Sequence, residues 1–237
     1  MVRVISVLAF ALLLGCQTTA EVSIDVLEDG SGEVAVGVVL DPQAAMEIDG
    51  AEALELGDLD GTGWEVTGPD TAADGTVSIS GVHQFAGEEE LAAVLDMVAG
   101  PGVFTNVSID ISESFGNTSW AAGMDVSATG DPTQFSDDAL TEVLSGLPLG
   151  RTADELAALG ATAPGAATLS VTLSLFGEDI DSAQLDLTSG QPSSESLTVE
   201  HSRSQPLALG LAAGAVAGLL AAVVLGVVAV VRRRRRR

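Results

Sequence analysis

The clearest chemistry in this sequence belongs to its single cysteine, Cys16, which directly follows Leu13-Leu14-Gly15. A basic residue and an apolar run ending at Leu14 come first, the pattern of an export signal, and this run is too short for an ordinary membrane span. Leucines before a Gly-Cys pair are typical of a bacterial lipobox, in which the cysteine sulfur is diacylated and becomes the mature N-terminus. The sequence predicts a signal peptide over residues 1–15 and lipidation at Cys16, with ordinary cleavage near Thr18-Thr19-Ala20 as the alternative.

Other reactive side chains form no recognisable constellation. The two histidines, His83 and His201, sit in strand-like contexts without a neighbouring cysteine, so neither suggests a metal site. Carboxylate pairs are frequent in so acidic a chain and do not indicate an acid/base dyad. No Gly-x-Ser-x-Gly elbow, phosphate loop or HExxH motif is present. We therefore expect no catalytic residue, no metal ion and no cofactor, and interpret the protein as a non-enzyme.

The C-terminus predicts a membrane span. The 25 residues from Leu207 to Val231 carry no charge. A helix of this length covers roughly 37 Å at about 1.5 Å per residue, enough for a hydrocarbon core of about 30 Å. Six arginines follow, and basic flanks stay in the cytoplasm: Arg232, Arg233, Arg234, Arg235, Arg236 and Arg237. We expect a single-pass protein of the cell membrane, with residues 16–206 outside the cytoplasm, a transmembrane helix over 207–231 and a cytoplasmic tail over 232–237.

Small side chains recur every four residues along this apolar segment: Gly210, Gly214, Gly218, Ala222 and Gly226. Such a face lets a second helix approach closely, so it predicts a transmembrane-helix partner or a homodimer. The alternative is that a helix rich in alanine and glycine shows this spacing by chance.

Composition excludes several classes of partner. Residues 17–206 contain 34 acidic and 2 basic residues, a formal charge of −32, and the chain has no lysine. A nucleic-acid partner is excluded because phosphate binding needs a basic surface. An anionic lipid surface would also repel this segment. One cysteine permits no internal disulfide, so packing alone must hold the exported core.

Hydrophobic alternation predicts an antiparallel, strand-rich α+β domain with three or four short helices, followed by the transmembrane helix. Segments 21–27 and 34–40 form a hairpin, and Glu88 to Val98 is the clearest helix. The other predicted helices begin at Asp41-Pro42, at Ser136 and at the Thr152-x-x-Glu155 capping box. The remaining predicted strands lie near residues 64–66, 76–85, 104–112, 120–127, 169–175, 185–187 and 197–199.

This order of elements resembles the actinobacterial LppM-type lipoproteins. The resemblance is carried by the lipobox, by the Ser23-to-Leu40 hairpin with its Glu-Asp-Gly-Ser-Gly turn, by the helix that follows Phe85, by Phe115 to Trp120, and by the Thr168-to-Phe176 strand. It implies an LppM domain, the α+β fold, and an envelope lipoprotein proposed to bind mannosylated phosphatidylinositol lipids without established catalysis.

Two functions from different classes follow. The first is a membrane-anchored envelope lipoprotein that binds membrane lipid or a glycolipid ligand at the outer face of the cytoplasmic membrane. The second is a structural or assembly partner that acts through the small-residue helix face and an exposed sheet. Trp64 and Trp120 are expected to be core or rim residues in either case.

Overall fold

The computed structural model describes residues 17–47, 63–131 and 166–204, which contain nine strands and two helices. In chain order these elements are β1 (Thr18–Val26), β2 (Gly32–Leu40), α1 (Pro42–Glu47), β3 (Glu65–Thr71), β4 (Val77–Phe85), α2 (Glu88–Ala99), β5 (Phe104–Ser114), β6 (Asn117–Ala128), β7 (Ala167–Leu175), β8 (Asp179–Asp186) and β9 (Ser193–Ser204).

A six-stranded sheet in the order β3-β4-β2-β1-β7-β8 forms the main layer. Strand β1 is antiparallel to β2 and parallel to β7, so the sheet is mixed. Opposed residues share a face of a sheet, and the register places Ile24 between Val34 and Leu173, all fully buried. One face is therefore the apolar core.

The opposite face of this sheet carries mainly polar and small side chains, because side chains alternate along each strand. On β1 it carries Thr19, Glu21, Ser23 and Asp25. Hydroxyl and carboxylate pairs follow the parallel ladder: Thr19 and Thr168 share a hydrogen bond of 3.2 Å, and the Ser174 hydroxyl donates to Asp25 at 2.6 Å. The alternation seen in the sequence thus becomes two chemically distinct faces.

The two helices lie against β2 and β4. Helix α1 is capped by Asp41, whose carboxylate accepts the Ala44 N–H at 2.7 Å. Helix α2 begins with three glutamates at the positive end of its dipole. Its buried side chains include Leu91, Val94 and Leu95. These two helices match the segments that the sequence predicted at Asp41-Pro42 and Glu88.

Strands β5, β6 and β9 form a second sheet in the order β5-β6-β9. Every second residue of β6 is buried, from Thr118 to Ala128. The chain divides into two compact units, one of Met1–Asp110 with Ala121–Glu200 and one of Ile111–Trp120 with His201–Arg237.

The predicted fold class is wrong in two respects. It assumed antiparallel pairing throughout, whereas β1 and β7 are parallel. It assumed three or four short helices, whereas the described ranges contain two. Neither of these two helices is long and apolar enough to cross a bilayer. Alternation specifies a strand and its buried face, but it does not specify the direction of a distant partner strand.

Several predictions of the sequence fall outside the described residues. These are the signal peptide, the helices expected at Ser136 and Thr152, and the segments 207–231 and 232–237. The predicted strands were found, and most are longer than expected. Strand β1, for example, begins at Thr18 instead of residue 21.

Close packing at Gly32 yields a stability prediction. A Cβ atom here would overlap the Asp25 carbonyl oxygen and the Phe85 ring, both parts of the rigid sheet core. Gly32→Ala is expected to lower the free energy of unfolding by about 2–3 kcal/mol, as overpacking does. Chemical denaturation followed by circular dichroism measures the change.

Gly87→Ala is the matched control, because a Cβ there has nothing within 4 Å and its φ of 169° is ordinary extended backbone. Equal stability of the two variants would contradict the close packing at Gly32.

Candidate functional site

The site residues predicted from the sequence lie outside the described residues and remain predictions. They are the lipidation site Cys16, the small-residue face Gly210, Gly214, Gly218, Ala222 and Gly226, and the topology determinants Arg232, Arg233, Arg234, Arg235, Arg236 and Arg237. Within the described residues, the side chains with most chemistry are the two tryptophans and the two histidines.

Each histidine of the chain packs against one of its tryptophans. In the first unit, the rings of Trp64 and His83 have centroids 5.2 Å apart and are tilted by 57°. In the second unit, the rings of Trp120 and His201 are 5.9 Å apart and tilted by 52°. Tilted geometry at this distance suits the quadrupoles of aromatic rings.

A shift in strand register brings Trp64 to His83. Near their turn, β3 and β4 pair Asp70 with Ser78, but after an irregularity they pair Glu65 with Val82. One further step along the shifted register opposes Trp64 and His83. Without the shift, Glu65 would oppose His83, since a slip of one residue exchanges the faces of a strand.

Glycine also makes room for the first pair. Gly63 has a φ of +92°, and a Cβ there would lie 3.0 Å from His83 Nε2. This backbone conformation is one that glycine adopts easily. Any side chain at position 63 would press on the imidazole ring.

His83 lies on the apolar face of the six-stranded sheet, because the register opposes it to the buried Val34. Trp64 Nε1 and His83 Nδ1 are both buried, and neither has a hydrogen-bond partner among the described residues. Leaving a buried polar group unpartnered costs about 1–3 kcal/mol. Two such nitrogens side by side on an apolar face are the most unusual feature of the first unit, and they could receive an acceptor oxygen.

The Trp120–His201 pair has a different environment. The guanidinium of Arg203 lies over the Trp120 ring at 5.7 Å from its centroid, within range of a cation–π interaction. Trp120 is 7% exposed, and Arg203 is exposed at the end of β9. This cluster carries a positive charge in a strongly acidic chain.

The carboxylates of the described residues are bonded mainly to N–H and O–H donors. Hydrogen bonds from Ser31 and from Thr76 lower the pKa values of Asp29 and Asp74 below the ordinary value of 3.8. Ser196 and then Asn106 lower the pKa of Asp125 by donating to its carboxylate. These acids hold turns and strands together, and their arrangement does not suggest an acid/base pair.

A second feature of the first unit is an open depression of about 320 Å³ beside Ser193. Its lining is small and uncharged: Gly102, Ser127, Ala128, Thr129, Pro192, Ser193 and Ser194. The Ser193 hydroxyl is buried there without a partner among the described residues. A hydroxyl alone supplies no charge or base for chemistry, so we place the candidate site at Trp64 and His83.

A metal ion has no ligand set in the part of the chain that the structure describes, where no three His, Cys, Asp or Glu residues cluster together. The two histidines are separated, each against its own tryptophan. The chemistry that the Trp64–His83 arrangement can supply is hydrogen bonding within an apolar surface.

No protein-family model matches the chain, and no curated protein matches it. Among solved structures, the chain is similar to the folded domain of the LppM protein from Mycobacterium tuberculosis, determined by NMR. The similarity covers 82% of this chain and 94% of the other, with 13% sequence identity and a TM-score of 0.37. At this level it identifies neither a ligand nor an activity for this chain.

Sequence reasoning placed both tryptophans in the core or at its rim, and they are buried, at 6% exposure for Trp64 and 7% for Trp120. It did not predict that each would contact a histidine. The Trp64–His83 contact depends on the shifted β3–β4 register, for which Gly68-Pro69 is the only local signal.

The hydrogen bonds to Asp125 yield a pH prediction. Its folded pKa lies below that of the unfolded chain, so this carboxylate adds stability above the unfolded value of about 3.9. That stability is lost as the pH falls through the folded value. Asp125→Asn should therefore lower the melting temperature at pH 7, and its difference from the wild type should shrink towards pH 3.

Asp70→Asn is the control, because it removes one negative charge from an exposed position of β3. A deficit of Asp125→Asn that stays constant from pH 7 to pH 3 would contradict the role of the ionised carboxylate.

Proposed function

We propose that this protein is a membrane-anchored lipoprotein of the cell envelope that binds lipid or glycolipid and catalyses no reaction. The observation that carries the proposal is the pair of unpartnered nitrogens, Trp64 Nε1 and His83 Nδ1, on the apolar face of the six-stranded sheet. Ligand sites of this kind are mostly apolar, with a small number of well-placed polar groups.

The surface around these nitrogens suits an amphiphile. Val36 and Val38 lie on the same face and are only half-buried, and Gly81, opposite Val36, contributes no side chain. We call Val36, Val38, Trp64, Gly81 and His83 the sheet-face patch. Its valines would contact acyl chains, and its two nitrogens would contact the polar end of the same molecule.

The hydrogen-bonding chemistry favours an oxygen acceptor. A tryptophan Nε1–H can only donate, and a neutral imidazole can donate from Nδ1. A phosphate or sugar oxygen could accept from both groups and remove the cost of leaving them unpartnered. The patch contains no lysine or arginine, so the geometry of its two hydrogen-bond donors would select such an oxygen.

Attachment to the membrane completes the proposal and rests on the sequence. Acylation of Cys16 would hold the N-terminus, because two or three acyl chains anchor a protein stably. Gln17 alone then separates the anchor from β1. The apolar segment 207–231 and the arginines after it would make the protein single-pass, with residues 16–206 outside the cytoplasm.

The alternative of an assembly partner has weaker support. Its helix face lies outside the described residues. The edge strand β3 carries Pro69 and Asp70 and an irregular register, features that discourage pairing with another strand. Assembly through this edge is therefore discouraged, and crosslinking in intact cells would reveal a homodimer or a partner helix at the small-residue face.

The ligand prediction is tested with a phosphatidylinositol that carries a photoreactive diazirine on an acyl chain, added to membranes containing the full chain. The wild type should be labelled on the peptide that contains β2. The double variant Trp64→Phe/His83→Phe should lose about tenfold in this labelling, equivalent to about 1.4 kcal/mol or one to two hydrogen bonds.

The chain contains its own matched control, since Trp120→Phe/His201→Phe makes the same chemical changes at the other pair. This variant should keep the β2 labelling. After lipid is stripped in detergent, circular dichroism should show that both double variants are folded, so that lost labelling reports a lost contact and not unfolding. Equal labelling of all three proteins would refute lipid binding at the patch.

The anchor is tested separately with labelled palmitate. The wild type should incorporate the label and Cys16→Ala should incorporate none, because the chain has no other cysteine. Label that persists in Cys16→Ala would show that the lipobox interpretation is wrong, without bearing on the sheet-face patch.

A further inference from the structure

The second unit ends in an exposed apolar tip. Phe115 lies in the turn between β5 and β6 and is 74% exposed, and Ile111 on β5 is 42% exposed. Burying a phenylalanine or isoleucine side chain is favourable because it removes apolar surface from water. Only 3% of the residues of this chain are aromatic, and one of these few is left exposed to solvent at a turn. Such a side chain would gain stability by contacting another apolar surface.

The strand register groups other residues with this tip. The two-residue turn Phe115-Gly116 places Ile111 opposite Trp120, since Ser114 and Asn117 flank the turn. On the other side of β6, Asp125 meets Ser196 and Trp120 meets His201, so β6 and β9 are antiparallel. Ile111, Trp120 and His201 therefore form one row across the sheet.

The same register places the end of β9 beside the turn between β5 and β6. With Trp120 beside His201, three further residues bring Ser204 beside Asn117, next to the turn that holds Phe115. The apolar segment begins at Leu207, only three residues later, a distance of at most about 10 Å. If segment 207–231 enters a bilayer, the Phe115 turn lies at its surface.

Charge distinguishes this unit from the rest of the exported chain. The unit contains one acidic residue, Glu113, although the chain has 34. The next acids along its strands are Asp110 on β5, Glu200 on β9 and Asp125 on β6. Asp110 directly precedes Ile111 and Glu200 directly precedes His201, so the part of the unit that is poor in acids is the Phe115 turn, where Glu113 is the nearest acid along the chain.

The polar groups of the tip suit the boundary between lipid and water. Arg203 stacks on Trp120 and is exposed. Arginine can place its stem on apolar surface while its charge stays among the headgroups. The tip thus combines two exposed apolar side chains with one exposed cation that is held over the buried Trp120 ring.

We propose that this tip, formed by Ile111, Phe115 and Arg203, docks on the lipid surface of the membrane that holds segment 207–231. Phe115 enters the acyl region, Ile111 lies at the interface, and Arg203, which stacks on the buried Trp120, contacts headgroup phosphate. The docking rests on the membrane attachment proposed above. It goes beyond ligand binding, because it sets which end of the second unit faces the bilayer.

The test replaces Phe115 with the photocrosslinking analogue p-benzoylphenylalanine. The full chain is produced in cells and irradiated in their membranes. Irradiation followed by mass spectrometry should find lipid adducts on the peptide that contains position 115. The same replacement at Ile180 is the matched control, since Ile180 is 61% exposed but lies outside the second unit. Its lipid-adduct yield should be severalfold lower.

Each other outcome overturns the docking. An adduct at 115 to a different protein would assign the tip to a partner, and an adduct to a second copy would assign it to a homodimer. No adduct, or equal lipid yields at 115 and 180, would mean that the tip does not contact the bilayer. If the wild type shows lipid adducts at position 115 but no diazirine labelling of β2, the ligand proposal is refuted and this one stands.

Discussion

The structure depends on the parallel pairing of β1 with β7. These strands are far apart in the sequence, yet they pair over nine residues at the centre of the six-stranded sheet. Ile24, Val171 and Leu173 are fully buried there. With no disulfide available to the single cysteine, apolar burial at about 25 cal/mol per Å² must hold the distant segments together. The other strands pair on either side of these two: β2, β4 and β3 on the side of β1, and β8 on the side of β7.

Strands, their buried faces and helix caps could be predicted where neighbouring residues in the sequence determine them. The alternation of Val22, Ile24 and Val26 predicted both a strand and its buried face, and Asp41 was identified as a helix cap from its own side chain. The parallel direction of β7 could not be predicted in this way. A period of two is the same for parallel and antiparallel partners, and the choice is made by packing between segments that are remote in the sequence.

The candidate site was predictable only in part, for the same reason. Burial of Trp64 follows from its size and apolar character, but its contact with His83 requires a one-residue shift within β3. The shift occurs between Thr67 and Asp70, where Gly68-Pro69 interrupts the strand. A proline cannot donate to a sheet ladder, so an irregularity was foreseeable there, but its size and its consequence for His83 were not.

Many of the carboxylates in this acidic chain act as hydrogen-bond acceptors. With two basic residues in 17–206, carboxylates cannot be neutralised by salt bridges, and they accept hydrogen bonds from the backbone instead. Asp41 caps α1, Asp25 accepts the Gly177 N–H at 2.8 Å, and Glu88 accepts the Ile109 N–H at 3.0 Å. Such bonds act over short distances, whereas repulsion among the remaining acids is long-range and screened by salt. Added salt should therefore weaken the repulsion and leave the hydrogen bonds intact. The net contribution of these carboxylates to the stability of the domain should become more favourable as the ionic strength rises.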